Sequence, residues 1–399
     1  MLLGSCGDDQ LDIKQASTSA SQLTILAFDS GEGSSTPHLS VGPSGPVMSW
    51  VRNLEGISSL YFSEFDGTAW SPETLVAFGD NWFNNWADFP SVAHISGDLW
   101  AAHWLVKSAD QYYAYDVFVS ISRDAGSTWQ SARKIHSDGT ASEHGFVSLF
   151  DDAGDVGVVW LDGRNTVKKD GAKAERGMTL RSARISTAGD VVRPLLVDNF
   201  ACDCCGTDVV NTSRGPMVVY RDRTENEIRD IAAAHLTDSG WSKPHPVGSD
   251  NWIIAGCPVN GPAADNRGDQ VVVAWYTRAQ DRSRVNLAWS DDGGLGFSEP
   301  VEIATSGTQG RVDVVILGQA RVAISWLEVQ PGAEEASLML RYVSRQDLEA
   351  GSTDSAPIEV ARLENSRSAG FPQMISHDGM LLFAWTDSVH KSVVAATYH

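Results

Sequence analysis

An all-β chain assembled from seven copies of one four-stranded unit is what three observations predict for this sequence of 399 residues. Short apolar runs ending in an aromatic residue recur along it. Gly, Asp and Asn punctuate the stretches between them. No segment keeps a sustained helical period.

The recurring runs are VMSWV at Trp50, AAHWL at Trp104, GVVWL at Trp160, MVVYR at Tyr220, VVAWY at Trp275, VAISWL at Trp326 and LLFAWT at Trp385, spaced 51 to 60 residues apart. Each copy follows one plan. A segment such as FPSVAHI or FPQMISH opens it, and a Gly/Asp turn leads into the aromatic-ended strand. A third strand such as DVFVSIS or VNLAWS follows, and a last turn leads to WQSARKI or FSEPVEI. Four-stranded units at a period near 50 are the blades of a β-propeller. The final copy, ending SVVAATYH, holds only three strands. LTILAF, from Leu23 to Phe28, supplies the fourth and closes the ring, removing its exposed edges. The expectation is one seven-bladed propeller domain over 23–399.

Residues 1–22 read differently. Leu3-Gly4-Ser5-Cys6 resembles the lipobox of bacterial lipoproteins, where cleavage leaves a lipid-bearing cysteine. The Ser/Thr/Asp/Gln run behind it cannot bury enough apolar surface to fold and suits a tether. The expected setting is therefore extracytoplasmic, a monomer anchored by lipid on Cys6 at the periplasmic or outer membrane of a bacterium, where disulfides are permitted. A net charge of −21 argues against nucleic acid or anionic lipid as a partner.

The turns between third and fourth strands carry a signature. SRDAGSTW (Ser122 to Trp129) and SDDGGLGF (Ser290 to Phe297) fit Ser-x-Asp-x-Gly-x-x-aromatic, and SEFDGTAW and LTDSGW look like decayed versions. The Asp side chain can cap backbone N–H groups, Gly takes positive φ, and the aromatic packs between sheets. This resembles the Asp-box, or bacterial neuraminidase repeat, of the sialidase superfamily. The resemblance implies a propeller, with six blades in true sialidases as the alternative to the seven counted here, and a glycan-directed function. It also implies three arginines gripping a substrate carboxylate, a Tyr/Glu nucleophilic pair and an aspartic acid/base. The family's Phe/Tyr-Arg-Ile-Pro motif is missing, because the stretch before blade 1 reads AFDSGEGSSTPHL.

In a propeller, first-strand starts and second-strand ends share one face around the channel mouth. That places His38, Asp88, His144, the Cys202–Cys205 run, Cys257 and Arg311 beside Arg52, Asp162, Arg164, Arg221 to Arg223, Tyr276 and Arg278. By position, Arg164, Arg221, Arg278 and Arg311 are candidates for gripping an acidic sugar. Tyr276 is the candidate nucleophile, and Asp88 or Asp162 the acid. Each arginine taken singly reads first as a blade-to-blade ion pair, and YRDRTENEIRDI, with Arg221, Asp222, Arg229 and Asp230, looks like such a network. The seven-bladed form is also similar to polysaccharide lyases, for which His144, Tyr220 and Arg221 hold matching positions. Asp80-Asn81-Trp82, Asp198-Asn199-Phe200 and Asp250-Asn251-Trp252 are expected to set aromatics around the rim.

DNFACDCCGTDVV places three of the chain's five cysteines within four positions, and Cys257 in AGCPVNGP enters the neighbouring blade at the matching place. The run resembles a set of bacterial secreted propellers known as sialidase-like. Two readings of the four thiols stand open. One is disulfide stapling, in which a bond from Cys257 into the cluster ties neighbouring blades and adjacent Cys204 and Cys205 are unsuited to pair. The other is a copper or zinc site built from Cys202, Cys204, Cys205 and Cys257 with His144 or His38 added. C-x-C-C is not a usual zinc-finger spacing, and no Cys-x-x-Cys pair is read in the run. A reactive redox thiol is the third possibility.

Overall fold

The computed structural model describes residues 23–167, 177–318, 321–353 and 355–399; the Leu3–Cys6 motif and the rest of 1–22 lie outside them. Seven antiparallel sheets form, six from consecutive strands and the seventh from the last three strands with the first. Their inner strands are Ser34–Gly42, Ser91–Ser96, His144–Asp152, Asp208–Thr212, Ala263–Arg267, Thr308–Leu317 and Gln373–His377. Each inner strand packs against the next, and Gln373–His377 packs back on Ser34–Gly42, so the ring has seven blades and not six. The N-terminal strand Leu23–Ile25 pairs with Ser392–Tyr398 and supplies the outer strand of blade 7. No helix is long and apolar enough to cross a membrane among the described residues.

The recurring aromatic is packing between blades. Trp50, Trp160, Tyr220, Trp275 and Trp326 are fully buried and Trp104 and Trp385 nearly so, and the second strands around them are apolar on both faces because neighbouring blades cover both. Inner strands are tied by a repeated latch. Asp208 accepts the Ala264 N–H at 2.8 Å, Asp265 that of Ile316 at 2.7 Å, and Asp313 that of Met374 at 2.7 Å. Burial of these carboxyls outweighs the N–H donors and pushes Asp208 up to about 7 and Asp313 to about 8.

The two best-preserved turns share one hydrogen-bond pattern. Ser122 Oγ accepts the Gly126 N–H at 2.9 Å and Asp124 accepts that of Thr128 at 2.8 Å; Ser290 does the same for Gly294, and Asp292 for Leu295 and Gly296. Both turns rest on the first hairpin of their blade, through Ala125 N–H to Asp98 O and Gly293 N–H to Asp269 O. They therefore occupy the face opposite the strand ends that carry the candidate residues.

A channel cavity of about 440 Å³ runs along the axis, from Ala87 and Asp88 at one end to Val41, Asp151 and Asn211 at the other. The loop before blade 2 reaches across the mouth: Trp86 stacks on Phe371 of blade 7 at 5.8 Å, with the Arg311 guanidinium 5.0 Å over its ring. Two aromatics expected at the rim are buried instead. Trp82 stacks on Trp104, and Trp252 packs edge-on against Tyr276. Phe200 lies under the Arg223 guanidinium. An indole covering the inter-blade seam removes more apolar surface from water than one facing the open mouth.

Candidate functional site

The arginines expected to converge are committed separately. Arg221, fully buried, donates from Nε to Asn260 O at 2.9 Å and from its two terminal nitrogens to Arg229 O and Tyr276 O, both at 2.7 Å. Arg311 donates to Gly370 O and Ser366 O, and desolvation with Arg367 nearby lowers it to about 10. Arg164 holds both oxygens of Asp162 at 2.6 Å. Arg278 alone is largely exposed, 3.9 Å from Asp281. The Tyr276 hydroxyl meets Ser283 Oγ at 3.2 Å. Blade-to-blade and local bonding thus takes up Arg164, Arg221 and Arg311, and among the described residues no three-arginine grip on a carboxylate is assembled. The ion-pair network in YRDRTENEIRDI exists, but its members are Arg223, Arg229, Glu227 and Asp203. The lyase trio does not meet either, because the Tyr220 hydroxyl donates to Asp198 and Arg221 serves carbonyls.

Cys204 and Cys257 are joined as a disulfide across blades 4 and 5, with Cα atoms 6.0 Å apart. Cys202 and Cys205 remain as buried thiols whose sulfurs lie 2.6 Å apart. They stand three positions apart, so the run does contain a Cys-x-x-Cys pair, with Cys204 inside it. The four-thiolate metal set does not fit this arrangement. Two of its sulfurs are in a disulfide, and the other two are closer than the roughly 3.7 Å that separates thiolates sharing a tetrahedral zinc at about 2.3 Å. Arg229 donates to Cys202 Sγ at 3.4 Å.

His144 is not beside the cysteines. Its Nδ1 faces the carbonyls of Tyr115 and Ser142 at 3.1 Å, its ring stacks on His136 at 3.8 Å, and its Nε2 lies 3.3 Å from Asp138 and 3.8 Å from Asp162. Burial opposes a charge on this imidazole, but Asp138 and Asp162 outweigh it and hold its pKa above the ordinary value. Asp162 is held below its ordinary value despite burial, chiefly by Arg164, so it is an ionised partner and not a proton donor.

Asp88 is placed differently. Its Oδ1 accepts the Phe146 N–H at 2.7 Å, its Oδ2 takes the Tyr115 hydroxyl at 2.8 Å, and the same hydroxyl lies 2.7 Å from Glu143 Oε1. A register shift after Gly145 and a left-handed φ of 53° at Phe146 aim that N–H inward. A Cβ at Gly145 would stand 1.9 Å from Asp88 Oδ2, so only glycine admits the carboxyl here. Burial raises Asp88 to about 7, and burial with Asp88 and Asp203 nearby raises Glu143 to about 8. A phenol has one hydrogen to give. With burial favouring the protonated form of both carboxyls, one donates its O–H to the phenol oxygen while the phenol donates its own O–H to the other.

Tyr115 escapes a sequence reading confined to first-strand starts and second-strand ends, whereas Glu143 stands one residue before the first-strand start at His144 and was not singled out there. Third-strand starts and fourth-strand ends open on the same face, and following them leads to Tyr115, Asp116, His136 and Asp138.

No family model and no curated protein matches this chain. Among solved structures, the phage phi92 endosialidase superposes with a TM-score of 0.52 at 9% identity, over 95% of this chain and 68% of that one. The Hadza microbial sialidase Hz136 gives 0.50 at 14% identity, over 88% and 76%. The NanB sialidase from Streptococcus pneumoniae gives 0.47 at 9%, over 88% and 82%. What the chain shares with the first two is the propeller fold.

Proposed function

We propose that this protein is an extracytoplasmic, glycan-directed propeller whose acid chemistry resides in Asp88, Tyr115 and Glu143 at the channel mouth. The observation that carries the reading is the pair of carboxyls on one phenol. Both are held near neutrality, and Asp88 lines the channel. A carboxyl kept protonated at neutral pH can donate to a glycosidic oxygen as it leaves. Both carboxyls touch one oxygen atom, which sets them closer than the roughly 6.5–9.5 Å an inverting pair needs to admit water. The sialidase folds among the structural neighbours support glycans as the ligand class. Of the four candidate arginines among the described residues, Arg278 is the one left exposed to meet an acidic sugar.

The test is a screen of acidic and neutral glycosides with the full chain and with Glu143→Gln. Cleavage lost in the variant supports the reading. Retention on a glycan array without product makes the protein a binding module and removes the acid chemistry, and cleavage unchanged in Glu143→Gln, or no response to any glycan, rejects the reading. The extracytoplasmic setting is supported by Leu3-Gly4-Ser5-Cys6 and by the Cys204–Cys257 disulfide. Incorporation of labelled palmitate that is lost in Cys6→Ser tests the anchor.

A further inference from the structure

The four sulfurs beside the mouth hold two oxidation states at once. Cys204 Sγ, in the disulfide with exposed Cys257, lies within 4.8 Å of the free sulfurs of Cys202 and Cys205. We propose that these cysteines form an internal thiol–disulfide relay, which moves the disulfide from Cys204–Cys257 to Cys202–Cys205 and frees Cys257 as a surface thiol.

The exchange balances within the chain. The Cys202 thiolate attacks Cys204 Sγ; a Cys202–Cys204 bond forms, the Cys204–Cys257 bond breaks, and Cys257 leaves as a thiolate that takes up a proton. The Cys205 thiolate then attacks Cys202 Sγ; the Cys202–Cys205 bond forms, and Cys204 leaves and is protonated. The two protons given up by Cys202 and Cys205 match the two gained by Cys257 and Cys204. One disulfide is present before and after, so no outside oxidant enters.

Three features favour this chemistry. The Cys202 and Cys205 sulfurs, at 2.6 Å, are only about half an ångström beyond the ~2.05 Å of a disulfide, so closing the bond needs little backbone movement. Cys202 is set up as the attacker. Burial alone would raise its thiol, but the donated Cys205 S–H and the charges of Arg221 and Arg229 prevail and hold it below the ordinary thiol value, while Cys205 is pushed up. Release of Cys257 does not open the ring, because Arg221 still ties blade 4 to Asn260 and Tyr276 of blade 5. The segment that loses its tether is already solvent-facing at Asn251, Ile253, Ala255 and Gly256.

The experiment treats the native full chain, without reductant, with a bulky maleimide and maps label and disulfides by non-reducing peptide mass spectrometry. Mapping separates the contribution of Cys6. The expected result is label on Cys257 in molecules that carry Cys202–Cys205, appearing roughly tenfold or more slowly in Cys202→Ser. Cys205→Ala keeps the first attack and is expected to label at Cys257 while trapping Cys202–Cys204. Label confined to Cys202 or Cys205 with Cys204–Cys257 intact overturns the relay. So does an unlabelled Cys257 in wild type or in Cys205→Ala, or equal rates in wild type and Cys202→Ser. Circular dichroism on each variant confirms that the compared proteins are folded.

Discussion

The Tyr115 hydroxyl and the Glu143 carboxyl, on neighbouring blades, meet at 2.7 Å, and Asp88 completes the contact from the other side. Their geometry ties protonation to stability and to any acid catalysis. Glu143 ionises near 4 in the unfolded chain and about 8 in the fold, so the folded protein binds the extra proton between those values. Its effect on stability therefore falls as pH rises from about 4 to about 8. Glu143→Gln removes that slope, and thermal unfolding at pH 5 and pH 8 is expected to show a smaller difference than in wild type. If glycoside cleavage is found, its rate should fall above pH 8, and the variant should lose roughly 10²–10⁴-fold.

Arg221→Ala leaves three buried carbonyls without donors, those of Asn260, Arg229 and Tyr276. The expected cost is about 3–5 kcal/mol in urea unfolding. Arg221→Lys also destabilises strongly, because one ammonium cannot follow the fork that reaches three directions. A change below about 1 kcal/mol in either variant would show that the residue is not the buckle between blades 4 and 5.

Joining Cys204 to Cys257 closes a loop of 53 residues. The double replacement Cys204→Ser, Cys257→Ser is expected to cost about 4 kcal/mol, mainly by freeing the unfolded chain. Reductant should lower the wild-type unfolding midpoint and leave the double variant unmoved at Cys204 and Cys257.

Asp313 accepts N–H groups from Met374 and Val314, one on each oxygen. Asp313→Asn loses one of those acceptors and is expected to be about 1 kcal/mol less stable at pH 5. Wild type then weakens as pH rises towards about 8, where the buried carboxyl ionises, and the amide does not. The gap should close or reverse by pH 9, as read from unfolding midpoints across that range.

The sequence expressed the blades because their causes are local or periodic. Trp50, Trp160 and Trp275 mark second strands, and the Ser122–Asp124–Gly126 and Ser290–Asp292–Gly294 turns satisfy themselves within a few residues. The lone three-stranded copy and Leu23–Phe28 together disclosed ring closure. Trp82 and Trp252 did not follow their expected placement, because the seam they fill belongs to neighbouring strands and leaves no trace beside them in the chain.

The site residues divide along the same line. Strand order placed Asp88 at the mouth; Tyr115 reaches it across 27 residues within blade 2, and Glu143 joins them only when blade 3 packs on blade 2. The arginines looked free because a sequence shows charge but not the carbonyl oxygens that a fold turns toward it. Arg221 and Arg311 meet theirs across spans of 55 to 59 residues, at Tyr276 O, Gly370 O and Ser366 O. Cysteine spacing likewise brought four thiols to one place, but which pair would bond depended on the approach of blades 4 and 5. Periodicity and short-range turn chemistry determine the seven-bladed ring. Proton sharing, guanidinium commitment and disulfide pairing are decided by contacts between blades, where desolvation and geometry act on atoms far apart in the chain.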